Sequence, residues 1–449
     1  MKILILGLNY APEKVGIAVY TTGLAEALAA QGHEVTVVAG RPYYPGWAIM
    51  AGHNAFTYGR TRENGVRVIR VPHYIPREPS GFRRLLHHAS FAATSLPPII
   101  GKAVTFRPDV VLTVAPSLIA APVARLAAWL SGARSWLHVQ DFEVEAGFAT
   151  GLFRDKTLFG RLARWFEGKM LKAFDRTSSI SPQMCRKLAE KGVGPDRIVE
   201  FRNWAEIERI TPLAGSSPYR DAWGISARHV ALYSGNIANK QGIDIVIEAA
   251  HLLRHRRDLA FVICGEGPNR RALEQAAADL DNVRFHDLQP AERLGDLLGL
   301  ASVHLLPQLA GAADLVLPSK MANMLASGRP IVATAAAGTG LALEVEGCGL
   351  ITPPGDAASF AAAIERLIDD AALSARLGQA GRRRALERWS RQKLIADMAA
   401  ELERLAGEGR EGAKAQGKDK ARSGPSTALD PRPAVLSGHD GQVSRPERP

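Results

Sequence analysis

Several short stretches place glycine, lysine and small polar residues where a strand gives way to a helix, a setting suited to phosphate. The stretch from Tyr233 to Gly242 reads YSGNIANKQG: Gly235 lets backbone approach a ligand, and Lys240 adds a positive charge about one turn before a helix. The stretch from Leu317 to Ala333 reads LPSKMANMLASGRPIVA and is the most specific in the chain. Ser319 is a suitable N-cap there, Lys320 stands beside the first free N–H groups, and Asn323 lies one turn on along the same helical face. Cys264-Gly265-Glu266-Gly267-Pro268 follows a third strand and is weak evidence alone, with Pro268 fitting the first turn of a helix. In the first half of the chain, Gly7 to Gly16 forms a loop opening onto a helix. It offers either a helix N-terminus to a polar ligand or a turn that needs glycine for its backbone alone. Finally, LHVQDFE places His138, Asp141 and Glu143 at a strand end, where an imidazole and a carboxylate could orient or activate a hydroxyl, although a lone histidine is as readily structural.

What is missing narrows the chemistry. HExxH, GxSxG and the Walker A loop do not occur, and the loop after the first strand lacks the GxGxxG spacing of a dinucleotide site. The single DxD, Asp279-Leu280-Asp281, falls between a helix end and a strand and reads as a surface turn, so no bound metal is expected. Three scattered cysteines, Cys185, Cys264 and Cys348, form neither a zinc box nor a CxxC pair and fit a reducing compartment.

These stretches need a scaffold of alternating strands and helices, and the chain supplies one. Strands are expected at Lys2–Leu8, Glu34–Ala39, Val66–Val71, Asp109–Val114, Arg134–His138 and Asp175–Ile180, with Ile17, Tyr20, Leu24 and Leu28 at helical spacing after the first. A turn-rich break with Pro212, Gly215, Ser216, Ser217 and Pro218 follows. The alternation restarts near His229–Tyr233, Ala260–Cys264, Val283–Phe285, Val303–Leu306 and Ile331–Ala333. The expected fold is α/β: two Rossmann-like, doubly wound parallel-sheet domains facing across a cleft. Their bounds are 1–205, a linker 206–221, and 222–386, followed by a helix over 387–406 that can pack back on the first domain and a disordered tail over 407–449.

With 56 Lys/Arg against 45 Asp/Glu, the 449-residue chain carries a formal +11. From Glu408 onward there are eight Lys/Arg and six Asp/Glu, so the body keeps +9 and favours phosphate-bearing partners. The apolar start Ile3–Leu8 is too short for a secretory signal, and Pro116, Pro122 and Arg125 interrupt the apolar run Val110–Leu130. The reading is a cytoplasmic protein, peripheral at the inner membrane face. Arg77, Arg83, Arg84, His87 and His88 beside Phe82, Leu85, Leu86, Phe91 and Leu96 suit a basic helix on an anionic membrane, and equally a core-facing helix with a solvated edge. Tyr43, Tyr44 and Trp47 suit stacking on a sugar face or packing within a long loop.

The same stretches resemble glycosyltransferase family 4, through GHEVTVVAG, LHVQD, YSGNIANKQG, CGEGP and LPSKMANMLASGRPIVAT, over about Met1 to Leu405. LNYAPEKVGIAVYT, PYYPGW, HVQDFEVEAG and AGAADLVLPSK look like the branch that builds colanic acid and other exopolysaccharides. That resemblance implies the two-domain GT-B fold, a nucleotide-diphosphate sugar as donor, a lipid-linked saccharide as acceptor, retention of configuration, and no metal, cofactor or nucleic acid. It places Gly235, Asn236 and Lys240 on the donor diphosphate and sugar. Ser319, Lys320 and Asn323 fall on the pyrophosphate and ribose, Gly265 with Gly267 by the base, Glu344 on the donor side, and Gly16 and His138 near the transferred sugar. His138, Lys240 and Lys320 are the expected catalytic groups. Where many members carry Glu-x7-Glu this chain has Leu315 and Asn323, and an arginine often found in the YSGN loop is Asn236. A sugar-nucleotide epimerase of the same architecture and a non-catalytic nucleotide-binding protein are the competing readings. The sparse carboxylates Glu13, Asp141, Glu143, Asp314 and Glu344 disfavour the epimerase.

Overall fold

A computed structural model describes residues 1–14, 16–54, 56–149, 152–153, 157–205, 207–237, 241–309 and 317–422, the side chains of Ala149, Ser319 and 410–422 excepted. The first half builds eight strands: β1 (Lys2–Gly7), β2 (Glu34–Gly40), β3 (Gly59–Glu63), β4 (Val66–Val71), β5 (Val110–Ala115), β6 (Arg134–Val139), β7 (Arg176–Ser179) and β8 (Ile198–Glu200). They pair in the order β3-β4-β2-β1-β5-β6-β7-β8, all parallel except the β3–β4 hairpin. The second half builds β9 (His229–Ser234), β10 (Leu259–Cys264), β11 (Val283–His286), β12 (Val303–Leu306), β13 (Ile331–Thr334) and β14 (Gly349–Thr352), paired in parallel as β11-β10-β9-β12-β13-β14. The fold is therefore the expected pair of doubly wound α/β sheets.

Helices on both faces explain why the central strands are apolar throughout: β5 and β10 are buried at every residue, the pattern of a parallel sheet covered on two sides. In each sheet the order reverses beside the first strand of the half, between β1 and β5 and between β9 and β12. Ligands of open α/β sheets bind beyond the carboxyl ends of strands at such a reversal. The Gly7–Gly16 loop leaves β1, and the YSGN loop leaves β9.

The halves are joined twice. Phe201 to Ile210 runs across the end of the helix Ala371–Trp389, with Ala205 N donating to Trp389 O at 3.1 Å. Arg382 donates to the carbonyls of Ile207, Ile210 and Ala326 at 3.2, 2.6 and 2.9 Å, clamping the linker to the second half. The chain then recrosses. Leu394, Ile395, Met398, Leu402 and Leu405 of the last helix enter the core formed by Ile3, Ile5, Leu24, Leu112 and Trp136. That helix spans Arg391–Arg422, so 407–422 is helical where a disordered tail was expected. The stretch Gly407–Arg422 is rich in Ala, Lys, Glu and Arg, and no proline occurs before Pro425, so its glycines weaken the helix without ending it. The rest of the expected tail, 423–449, lies outside the described residues.

Candidate functional site

On the second half, the loops after β9 and β10 lie against each other. Gly235 N donates to Cys264 O and Ile237 N to Glu266 O, at 3.0 and 2.8 Å. Gly235 and Gly265 sit at φ 135° and 155°, a region that side chains avoid. A Cβ on Gly265 would fall 1.9 Å from the Gly235 carbonyl oxygen, and one on Gly235 would meet Lys320 Cδ at 3.3 Å. Three stretches far apart in sequence thus meet at one place: YSGN, CGEGP and the start of the LPSK helix. Gly267 belongs to the same seam, its Cα facing the carbonyl of Ile237.

Lys320 is the charged group of that place. Its Nζ lies 4.0 Å from the centroid of the Tyr233 ring and has no hydrogen-bond partner among the described residues. Tyr233 in turn is fixed by donating to Asn236 O at 2.7 Å. Loss of water around the ammonium pulls it down from its ordinary value to about 7. A buried cation gains from an aromatic face, and among the described residues no anion stands beside this one. Asn323, one turn along the helix Ser319–Ala326, also has its Oδ1 buried and unpartnered. Ser319 is the first helical residue, not the cap: Pro318 holds the capping position, at φ −59°, and supplies no side-chain cap. Lys240 lies outside the described residues, as do Asp314 and Leu315.

On the first half, Gly16 caps the helix Ile17–Ala30 at φ 64°, and a Cβ there would stand 3.7 Å from the Tyr44 ring. Glu13 is buried beneath that loop and accepts from the backbone N–H groups of Tyr43 and Tyr44, at 2.8 and 2.9 Å, and from Asn9 Nδ2 at 2.9 Å. It thereby ties the β1 loop to the aromatic loop after β2. Tyr43 packs edge-on against His73 and His87 and alongside Trp47, so it is packing; Tyr44 is exposed.

His138 is the penultimate residue of β6, and its side chain turns inward. Its ring lies in the core between the sheet and the helix Ile17–Ala30, 3% exposed, with Nδ1 2.8 Å from Ser178 Oγ and Phe201 edge-on. Together with Ile5, Thr21, Leu24 and Gln140 it lines a cavity of about 10 Å3, room for about one water. Burial holds it neutral down to about 3, which makes it a poor proton acceptor. Of the residues that follow in the motif, Asp141 reaches the surface, while Val139, Gln140 and Phe142 stay buried. Asp141 is exposed at the end of β6, and displaced water and the Glu145 charge raise its carboxyl. Glu143 accepts from the N–H groups of Ser117 and Leu118, yet burial lifts it to about 7.

Glu344 lies at the junction between the two halves. It is 3% exposed, with Arg202 and Arg388 at 2.8 and 2.6 Å, and so it bridges the two halves electrostatically. Gln183 and Gly340 touch across the same junction. Sequence reasoning missed the roles of Glu13, Tyr233 and Gln140; of these, only Tyr233, next to the end of an apolar strand before Ser-Gly, carried a local signal.

Comparisons with known proteins agree with this architecture. Residues 15–204 match a glycosyl transferase 4-like domain, and residues 228–370 match the glycosyl transferases group 1. The chain is 43% identical to the putative colanic acid biosynthesis glycosyl transferase WcaI of Escherichia coli, over 76% of this chain and 85% of that protein. It is 24% identical to an MMP α-(1→4)-mannosyltransferase of Mycolicibacterium hassiacum over 90% of this chain and 98% of that one. Among solved structures, Anabaena HepE in complex with UDP superposes with a TM-score of 0.64 at 16% identity, covering 90% of this chain and all (100%) of that one. Sucrose-phosphate synthase from Thermosynechococcus elongatus gives a TM-score of 0.63 at 20% identity, covering 91% and 99%. The chain belongs to glycosyltransferase family 4, and it is a sugar-transferring enzyme of the two-domain GT-B fold.

Proposed function

We propose that the enzyme transfers a hexosyl or deoxyhexosyl group from a nucleotide-diphosphate sugar to a saccharide carried on polyprenyl diphosphate, during synthesis of a colanic-acid-like exopolysaccharide. The observation that carries the donor half is Lys320, a buried ammonium with no anion beside it among the described residues, set against the Gly235–Gly265 seam. A diphosphate fills that vacancy in charge. The acceptor half rests on the colanic acid relative, which covers 76% of the chain.

In this reading the leaving diphosphate gathers negative charge as the glycosidic bond breaks, and donors already in place stabilise it. Lys320, the N–H groups beginning the helix Ser319–Ala326, and Lys240 from the YSGN loop supply them. Gly235 and Gly265 allow the phosphates close approach, with Asn236, Asn323 and Ser319 on the sugar and ribose. The acceptor hydroxyl attacks on the leaving-group face, its proton passing to the departing phosphate oxygen, so the configuration is retained and no protein nucleophile or metal is used. Asp141 stands at the strand end where it could orient that hydroxyl.

The test is incubation of the full chain with UDP-hexoses or GDP-fucose and a polyprenyl-diphosphate-linked saccharide, followed by mass spectrometry. A product heavier by one sugar, together with free nucleotide diphosphate, supports the reading. An isomerised sugar nucleotide formed without any acceptor would show an epimerase instead.

A further inference from the structure

The helix Leu158–Ala173 turns Gly160, Glu167 and Leu171 inward and keeps a row of large apolar side chains in water. Leu158 is 81% exposed and Trp165 is 59% exposed, with Leu162 between them one turn from each. At 3.6 residues per turn these three fall on one face, with Lys169 on the same stripe and Arg161 and Lys172 along its edge. The only acid of this helix, Glu167, is turned inward and paired with Lys191 at 2.7 Å. Among the described residues, Arg161, Lys169 and Lys172 make no ion pair.

The apolar surface continues beyond this helix. Arg125 Nε donates to Ala173 O at 2.8 Å and brings up the helix Ala121–Ser131, on which Trp129 is 70% exposed beside exposed Leu126 and Leu130. At the other end, Phe153 packs on Phe159, and Leu152 meets Gly81 at the start of the helix Gly81–Thr105, where Phe82 and Leu86 are exposed near Arg83. That helix otherwise faces the core through His87, Phe91, Ala92 and Ile99. Its other exposed apolar side chains, Leu96 and Val104, lie farther along it, and the main stripe lies on a helix in which the sequence had shown no such feature. No described helix is long and apolar enough to cross a membrane.

We propose that this face, led by Leu158, Leu162 and Trp165 and flanked by Arg161, Lys169 and Lys172, docks on the surface of a bilayer containing anionic phospholipid. Apolar side chains that enter the interface, with basic side chains at headgroup level and no outward acid, are the chemistry such a surface selects. The inference deepens the reading of a lipid-borne acceptor. The helix Leu158–Ala173 follows the strand end that presents Asp141, so docking there sets the acceptor side of the enzyme beside the lipid.

The test is sedimentation of the full chain with vesicles of phosphatidylcholine, with and without phosphatidylglycerol. Binding is expected only with phosphatidylglycerol, weakening at high salt. The triple variants Leu158→Ser/Leu162→Ser/Trp165→Ser and Arg161→Glu/Lys169→Glu/Lys172→Glu should each weaken it about tenfold or more, with melting temperature unchanged because every altered side chain is exposed. Transfer to a short-chain, water-soluble acceptor should persist in both variants. Wild-type binding that neither variant weakens overturns the inference. So does a wild type that ignores vesicles, including one that forms a dimer which the apolar variant dissociates. Either result leaves the transferase reading standing if transfer to the soluble acceptor persists.

Discussion

Lys320 and His138 were both candidate catalytic groups, and their surroundings separate them. Each is buried with a polar atom unpartnered, but the lysine faces two glycine loops at a sheet's switch point, whereas the histidine faces an apolar core and a cavity for about one water. The difference follows from strand geometry. His138 shares a face of β6 with Trp136, and both rings reach the same Ser178 hydroxyl inside the domain, Trp136 Nε1 at 2.8 Å. From the sequence, the approach of "HVQD" to the strand end was visible, but the residue at which the strand stops being core was not, and two positions decide it. Removing the ammonium with Lys320→Ala should lower kcat about a hundredfold, the loss typical of one preorganised donor, at about 2.7–4 kcal/mol of barrier, while the circular dichroism spectrum stays that of the wild type. Near-normal turnover would remove Lys320 from the chemistry.

At the scale of elements, what was legible were the strands whose neighbours are covered on both sides. All eleven expected strands occur; most carry the apolar run that a buried parallel strand needs, whereas Arg176–Ser179 (RTSS) and Val283–His286 (VRFH) do not. Three others were not anticipated. Gly59–Glu63 is GRTRE, an edge strand of mostly polar side chains held by its hairpin with β4. Ile198–Glu200 is a short edge strand, and Gly349–Thr352 closes the far edge of the second sheet. Edge strands depend on their neighbours more than on their own residues. The glycine loops were legible as phosphate-like turns, but their contact with each other was not, since it joins residues 30 apart through tertiary packing. That contact yields a sharp expectation. In Gly265→Ala the new methyl would overlap the Gly235 carbonyl at 1.9 Å, so the two loops must separate. Thermal melting should show a loss of stability, and nucleotide affinity should fall at least about tenfold. Unchanged affinity would mean that the seam does not shape the donor site.

At the scale of the whole molecule, the two sheets are linked by a clamped linker, a returning helix and the Glu344 ion triad. Taking both its arginines into the domain junction removes Glu344 from the set of groups free to meet a donor. In sequence that carboxylate was indistinguishable from one lining the cleft, because its partners lie 142 and 44 residues away, at Arg202 and Arg388. In the proposed donor site the charge then rests on Lys320 and its neighbours. Because burial lowers Lys320 to about 7 whereas the unfolded chain has it near 10.5, the unfolded state binds the extra proton between those values. Lysine therefore costs the fold most below pH 7, and that cost is lifted as pH rises through the window from 7 to 10.5. Under the proposed function, an arriving diphosphate is expected to reverse the shift and draw the proton back onto the ammonium.

The most direct measurement is therefore calorimetry of UDP, GDP, ADP, dTDP and NAD binding to the full chain at pH 8, repeated in buffers of different ionisation enthalpy. The account predicts a clear preference for one nucleoside diphosphate, with proton uptake that disappears in Lys320→Met. Binding of NAD alone, or of no nucleotide, would contradict the donor site, and diphosphate binding without proton uptake would contradict the part assigned to Lys320.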